Sequence, residues 1–287
     1  MERAPVSCLP TNSKMSKAKK VLDDAREIQN PELDLCDKGI VTFEELPGLF
    51  NMINITRLTL SHNKIRNVPA GLANLVNLEI LNLFNNYLED LPMSISSMPK
   101  LRILNLGMNR LNSLPRGFGA CPALEVLDLT YNNLHEGSLP NNFFMLETLR
   151  ALYLGDNDFE ILPPEIGQLK NLQILVLRDN ELIELPKELS ELTRLRELHL
   201  QANRLTLLPP ELGNLDFTSD KSEVKLHLNP WVAPISDQLQ GGIVRIMEYI
   251  RSDTYKFLYK RQVSLKAPPP PKTVDKSKKL SRQRNAS

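Results

Sequence analysis

Seven times between residues 55 and 205 the chain returns to one pattern, LxxLxLxxNxL. The copies read ITRLTLSHNKI, LEILNLFNNYL, LRILNLGMNRL, LEVLDLTYNNL, LRALYLGDNDF, LQILVLRDNEL and LRELHLQANRL. Their asparagines are Asn63, Asn86, Asn109, Asn132, Asn157, Asn180 and Asn203, and they stand 23 residues apart at every step but one, which is 25. Self-similarity at roughly 20–50 residues marks a stack of supersecondary units, none of which can bury its apolar face alone. That period constrains the fold more than any bulk property of the chain.

The residue types explain the spacing. In each motif the second and third leucines, such as Leu127 and Leu129, alternate with outward residues as a short strand requires. Stacked on their equivalents in adjacent turns, they fill one long core, each burial stabilising by about 1.5–3 kcal/mol. The Asn follows where the chain bends away. Its amide both donates and accepts, so it can satisfy backbone groups of neighbouring turns that would otherwise be buried unpaired. A structural ladder, not catalysis, is the expected role of these residues.

The return path also repeats, with Leu-Pro or Val-Pro at Val68–Pro69, Leu91–Pro92, Leu114–Pro115, Leu162–Pro163, Leu185–Pro186 and Leu208–Pro209. Apolar pairs such as Ile95 and Met98, or Ile166 and Leu169, follow at helical spacing. Proline at a first helical position is pre-organised, which predicts short helical or 3₁₀ segments on the convex side. Two weaker turns extend the array. LDLCDKGI puts Leu33, Leu35 and Ile40 in frame with Lys38 at the asparagine position, and VKLHLNPW does so around Asn229, which completes the ladder. The expected fold is α/β, a leucine-rich-repeat solenoid of about nine turns over residues 31–231. Its parallel strands line the concave face of a curved horseshoe.

Solenoids need capped ends. Residues 16–30 read as an N-terminal helical cap with Val21, Leu22, Ala25 and Ile28 as its apolar residues. Residues 232–262 read as a C-terminal helical cap in which Leu239, Ile243, Ile246, Ile250 and Phe257 share a face, with Gly241 and Gly242 weakening its start. Residues 1–15 and 263–287 are expected to be disordered. The second of these runs through APPPPK into a basic end. It could engage a proline-recognising groove, touch acidic lipids, act as a nuclear-import signal or only solubilise the chain.

Charge and composition exclude several functions. Net charge is +1, yet residues 260–287 hold nine basic side chains against Asp275 alone, and residues 30–259 hold 20 basic against 29 acidic, about −9. Nucleic-acid binding by the solenoid needs a basic face, so none is expected; a basic protein partner suits this field better. Cys8, Cys36 and Cys121 are too few and too widely spaced for a disulfide framework or a CxxC metal site. The N-terminal segment lacks the apolar run of a secretory signal, and no stretch approaches the roughly 20 apolar residues of a membrane span. A cytoplasmic, monomeric protein follows as the expectation.

No Walker loop, GxSxG, HExxH or dinucleotide fingerprint is present. His62, His135, His199 and His227 are dispersed, and although His199 and His227 occupy similar motif positions, no carboxylate or thiol completes a metal set in the sequence. The chain is expected to have no cofactor and not to be an enzyme. What remains is the outward side of the strands. Successive turns align Ile80, Ile103, Val126, Ala151 and Ile174 in one column, and Asn82, Asn105, Asp128, Tyr153, Val176 and His199 in the next. A third holds Phe84, Gly107, Thr130, Gly155, Arg178 and Gln201, and a fourth Asn85, Met108, Tyr131, Asp156 and Asp179. Aromatic and Arg anchors beside polar groups suit a protein interface. The candidate partner-binding residues are Asn82, Phe84, Asn105, Met108, Asp128, Tyr131, Tyr153, Asp156, Arg178 and Asp179. In this reading Asp156 and Asp179 form an acidic recognition patch. The two additional residues behind the 25-residue step fall after Leu134, where His135, Glu136, Gly137 and Ser138 are expected to bulge outward, away from the site.

LPPEIGQLKNLQIL and LPPELGNLD resemble the intracellular, Ras-related class of leucine-rich repeats. LGMNRLNSLPRGFG, PALEVLDLTYNNL, NPWVAPISDQ and EYIRSDTYKFLY narrow the resemblance to the Ras suppressor family, over nearly the whole chain from Met15. That resemblance implies a non-enzymatic adaptor at integrin adhesion sites. Its partner would be PINCH, a LIM-domain protein bound to integrin-linked kinase and parvin, held through its last LIM domain, with an influence on Ras and Jun-kinase signalling. The alternative it leaves open is a direct Ras-pathway regulator that binds a GTPase or a phosphatase subunit.

Overall fold

A computed structural model describes residues 12–265 and 267–272, with side chains from Lys17 onward. Nine three-residue strands form one parallel sheet in strict sequence order. They are β1 (Glu32–Asp34), β2 (Arg57–Thr59), β3 (Ile80–Asn82), β4 (Ile103–Asn105), β5 (Val126–Asp128), β6 (Ala151–Tyr153), β7 (Ile174–Val176), β8 (Glu197–His199) and β9 (Glu223–Lys225). Each central leucine lies in register with the next: Leu58, Leu81, Leu104, Leu127, Leu152, Leu175 and Leu198 pair along the array. All are buried, and with their partners two residues on they form one continuous core.

The asparagines bind this core together. Asn132 is fully buried. Its Nδ2 donates to the carbonyls of Leu106 and Leu129 at 3.1 and 3.0 Å, and its Oδ1 accepts from the Leu111 N–H at 3.0 Å. One side chain therefore joins its own turn to the preceding one. Asn63, Asn86, Asn109, Asn157, Asn180 and Asn203 repeat the arrangement, and half-buried Asn229 closes it against Leu200 and Leu205.

Opposite the strands run five-residue 3₁₀ turns, including Ala70–Asn74, Met93–Ser97, Pro164–Gln168 and Lys187–Glu191. The repeated prolines do not open these turns as expected. Pro69, Pro92, Pro163, Pro186 and Pro209 stand one residue earlier, the first four with extended backbone. Each carbonyl accepts the turn's first N–H bond, at 3.1 Å in all five. The pyrrolidine ring suits that site because no N–H is required there. Only Pro164 and Pro210 occupy the first turn position itself.

The extra residues between Leu134 and Pro140 fold into a further 3₁₀ turn, Glu136–Ser138. His135, Glu136 and Gly137 are exposed, but Ser138 is not part of an outward bulge: it is buried. Its hydroxyl donates to the Asn112 carbonyl in the preceding turn, and Leu114 N–H donates to its carbonyl at 2.9 Å. The insertion is stitched to its neighbour rather than looped away from it.

Both ends are covered by helices. α1 spans Asn12–Glu27, so it begins four residues before the boundary expected at 16. Ala18, Leu22 and Ala25 are buried, whereas Ile28, expected on the same face, lies beyond the helix end and is 74% exposed. The C-terminal cap is three helices: α2 (Ala233–Leu239), α3 (Ile243–Arg251) and α4 (Asp253–Leu265). The chain breaks at Gly242, whose φ of 83° favours glycine, and again at extended Ser252. Ile246 and Ile250 are buried, but the second break rotates Phe257 out to 73% exposure, and Tyr255 takes the core position instead. Residues 263–265, expected to be disordered, complete α4. The disorder expected of residues 1–11 and 273–287 lies outside the described residues. No helix among the described residues is long and apolar enough to cross a membrane.

Candidate functional site

Parallel pairing sets the columns of the concave face. Ile80, Ile103, Val126, Ala151 and Ile174 face one another across five strands, and Glu197 and Glu223 continue the row. Ala151 is buried and the other four apolar members are half-buried. Beside them run Asn82, Asn105, Asp128, Tyr153, Val176, His199 and Lys225.

Three residues of that second row also hold the backbone. The Oδ1 atoms of Asn82, Asn105 and Asp128 accept from the N–H two residues on, of Phe84, Gly107 and Thr130, at 3.0, 3.0 and 2.9 Å. Asp34 does the same for Cys36 at 2.9 Å. These are the local side-chain-to-backbone bonds that Asn and Asp favour in turns. They end each strand and commit one acceptor of each residue, a role the column pattern does not reveal. Tyr153 is half-buried, and burial pushes its phenol above the usual range, reinforced by the carboxylates of Glu197 and Asp128. It stays a neutral hydrogen-bonding group at physiological pH.

In the third row the large side chains rest on glycines. The Phe84 ring lies over Gly107, where a Cβ would meet its Cδ2 at 3.0 Å, and it packs edge-on with His62 at 5.5 Å between centroids. Arg178 lies similarly over Gly155. Its guanidinium then reaches Asp156 at 2.7 Å and Asp179 at 2.9 Å. The two aspartates expected as an acidic patch are thus bridged by one arginine, and Asp156 is only 5% exposed.

The fourth row has a backbone peculiarity. Asn85, Met108, Tyr131, Asp156 and Asp179 all have φ between 53° and 62°, the left-handed region. Their N–H groups donate to carbonyls of the next turn, for example Met108 to Thr130 at 2.8 Å and Tyr131 to Gly155 at 2.9 Å. Asn and Asp tolerate this region, while other side chains lose roughly 1–2 kcal/mol there. Met108 and Tyr131 are therefore costly choices in adjacent turns, both half-buried on the face.

Near the C-terminal end the face carries a cluster absent from the sequence reading. His199 Nε2 lies 3.1 Å from Glu223, and the donor atoms of Glu197, His199 and Glu223 fall within 4.8 Å of one another, a set able to hold a metal ion. His227 is not its neighbour: the partner of His199 in register is Lys225. The Lys225 ammonium, 3.0 Å from Glu223, already neutralises one of the two carboxylates. It holds Glu223 below the ordinary carboxylate range, with His199 adding to the effect. As it stands the cluster is an ion-pair network. Its sequence signal was register: Glu197 and Glu223 extend the apolar column.

Comparisons with known proteins agree with this geometry. A profile described as a leucine-rich repeat region matches residues 113–226, and leucine-rich-repeat profiles match residues 77–134 and 53–97. Ras suppressor protein 1 of Homo sapiens is 66% identical over 270 residues, covering 94% of this chain and 98% of that protein. The proteins of that name from Bos taurus and Mus musculus are 65% and 61% identical over the same shares. Among solved structures, the leucine-rich-repeat ectodomain of the Arabidopsis thaliana receptor kinase GASSHO1/SCHENGEN3 superposes with a TM-score of 0.58 at 26% identity, over 70% of this chain and 27% of that one. An internalin of Listeria monocytogenes gives a TM-score of 0.57 at 19% identity, over 79% of this chain and 72% of its own, which shows the shared fold alone.

Proposed function

From its membership of the Ras suppressor protein family of leucine-rich-repeat proteins, we propose that this chain is a non-enzymatic adaptor whose concave face holds a LIM-domain protein of the PINCH type. In this reading it serves the integrin-linked kinase and parvin assembly at cytoplasmic adhesion sites and modulates Ras and Jun-kinase signalling. The observation that carries the choice of face is the group spanning β3 to β6. Phe84, Met108, Tyr131 and Tyr153 are all half-buried, Tyr153 lies in register with Asp128, and Met108 and Tyr131 have left-handed backbone. Large, rigid, amphipathic side chains beside a carboxylate are what a hot spot consists of.

Binding of a PINCH-type last LIM domain should fall at least tenfold in Tyr153→Ala and Phe84→Ala. Asp128→Asn, which keeps the Oδ1 acceptor for Thr130, isolates the carboxylate's charge from its turn-holding role. Parent-like affinity in all three folded variants would rule out this face. The family name of the relatives favours a second reading, direct engagement of a Ras-pathway protein. Nucleotide-dependent binding to purified Ras that survives the same substitutions would establish it in place of the first.

A further inference from the structure

Outside the concave face, the rim where the chain leaves its strands carries three charged residues from successive turns. Glu160 follows Asn157 by three residues, Glu181 follows Asn180 by one, and Arg204 follows Asn203 by one. Arg204 is 6% exposed although it carries a full charge. Its guanidinium lies 3.8 Å from Glu160 and 3.7 Å from Glu181, yet neither carboxylate receives its hydrogen bonds. Instead Nε donates to the carbonyl of Pro270 at 2.7 Å, and Nη2 donates to the same oxygen. Two residues on, the Lys272 ammonium pairs with Glu160. We propose that this rim is a binding site for a proline-rich segment followed by a basic residue, occupied in this chain by its own residues 267–272.

The chemistry of both sides fits. A run of prolines has no N–H to offer, so its carbonyls depend on outside donors. Arginine is a fork of donors with no acceptor, the complement of such a ligand. Glu160, Glu181 and Arg204 together carry one net negative charge, and Lys272 cancels it. Arg204 Nη1 and Glu181 Oε2 stay buried without hydrogen-bond partners even with the segment in place; removing the segment would also strip Arg204 Nε and Nη2 of their acceptor, and such groups are costly to leave unmatched. Burial pushes Glu181 above the ordinary carboxylate range even with Arg204 and Lys272 nearby. Glu160, in contrast, is held low by Lys272 first and by Arg204 last. The occupant thus determines how well the site is neutralised. Its three residues follow the ladder asparagines and so lie beyond the concave columns in each turn, which lets a partner hold both surfaces at once. An external proline-rich ligand would have to displace the chain's own segment.

The test uses the full-length chain with Pro268 to Pro271 replaced by serine and Lys272→Glu, which vacates the site without touching the solenoid. A fluorescent KAPPPPKT peptide is titrated into this variant and into the parent. The expected result is saturable binding to the vacated chain at least tenfold tighter than to the parent, whose own segment competes. Adding Glu160→Lys or Arg204→Lys to the vacated chain should weaken it at least fivefold, with Arg204→Lys retaining charge but losing the fork. A peptide with its final lysine changed to glutamate should bind weakly to the vacated chain and regain affinity with Glu160→Lys. Absence of binding to the vacated chain, equal binding to the parent, or indifference to both rim substitutions would each overturn the proposal.

Discussion

The phenol of Tyr255 and the backbone of Leu208 form a two-bond ring across 47 residues of sequence. The Tyr255 hydroxyl donates to the Leu208 carbonyl at 2.7 Å and accepts from the Leu208 N–H at 3.0 Å. Both groups belong to the last Leu-Pro step; the ninth turn that follows has no such step and runs into α2 at Ala233 instead. Helix α4 thereby supplies a side chain to the backbone of the eighth turn. Tyr249 packs edge-on against the same ring, with 5.2 Å between centroids.

Tyr255→Phe keeps the ring and removes only the hydroxyl, leaving a buried N–H and C=O unmatched. A destabilisation of about 1–3 kcal/mol is expected. Urea unfolding should show a lower midpoint with an unchanged slope, because the surface exposed is the same. A midpoint equal to that of the parent would mean that the cap is held by packing alone.

Asn132→Ala removes four bonds from the middle of the ladder, to Leu106, Leu111, Leu129 and Thr130, and strands their backbone partners in a dry core. At about 1–3 kcal/mol for each unmatched group, the loss should reach several kcal/mol. Differential scanning calorimetry should find a transition many degrees lower. Asn229→Ala, at the half-buried end of the ladder, should cost distinctly less; equal shifts would contradict a burial-dependent ladder.

Arg178 bridges Asp156, whose side chain is 6% exposed, to Asp179. Arg178→Ala leaves the buried carboxylate without its counter-charge. Because the arginine itself is partly solvated, the expected loss is about 1–3 kcal/mol rather than the larger values of fully buried pairs. Adding Asp156→Asn should recover part of it. A double-mutant cycle showing strict additivity would dismiss the pair as an energetic unit.

Burial of Cys121 raises its thiol to about 11 from an ordinary 9.0. The folded state therefore keeps the proton after the unfolded chain has released it. The associated stability is fully present below pH 9 and is lost as pH rises towards 11, about 3 kcal/mol over that window. Iodoacetamide at pH 8 should leave Cys121 unlabelled in the native protein and label it once denatured. The pH-dependent loss should shrink in Cys121→Ala; labelling of Cys121 in the folded chain would place it at the surface.

The fold was legible because its signal is periodic: Leu127 and Asn132 recur with the same environment at every turn, so each copy corroborates the others. Features that occur once were not legible. Nothing in GSLP says that Ser138 turns inward, because its hydroxyl is held by Asn112 in another turn. The double glycine before α3 weakened a helix on propensity, but only the break at Ser252 decides that Tyr255 rather than Phe257 is buried. The face was half legible. Strand alternation identified the columns, and register alone would have brought Glu197 and Glu223 to His199. That Asn82, Asn105 and Asp128 also end their strands, and that Arg178 masks Asp156, depends on side-chain placement. The left-handed row left a trace in its Asn and Asp, a trace blurred by His62, Met108, Tyr131, Ala202 and Leu228 at the same position.

The strict order of the sheet has a mechanical consequence. Each strand pairs only with its neighbours in sequence, so tension applied through the two ends of the array loads one turn at a time. The bonds would part in series, as in a zipper, rather than all at once in shear. Each released 23-residue turn would yield about 75 Å of extended chain. A pulling trace should accordingly show a low, repeating sawtooth that begins once a terminal helix lets go. A ligand lying across several columns would splice those turns together, converting serial rupture into a single, much stronger event.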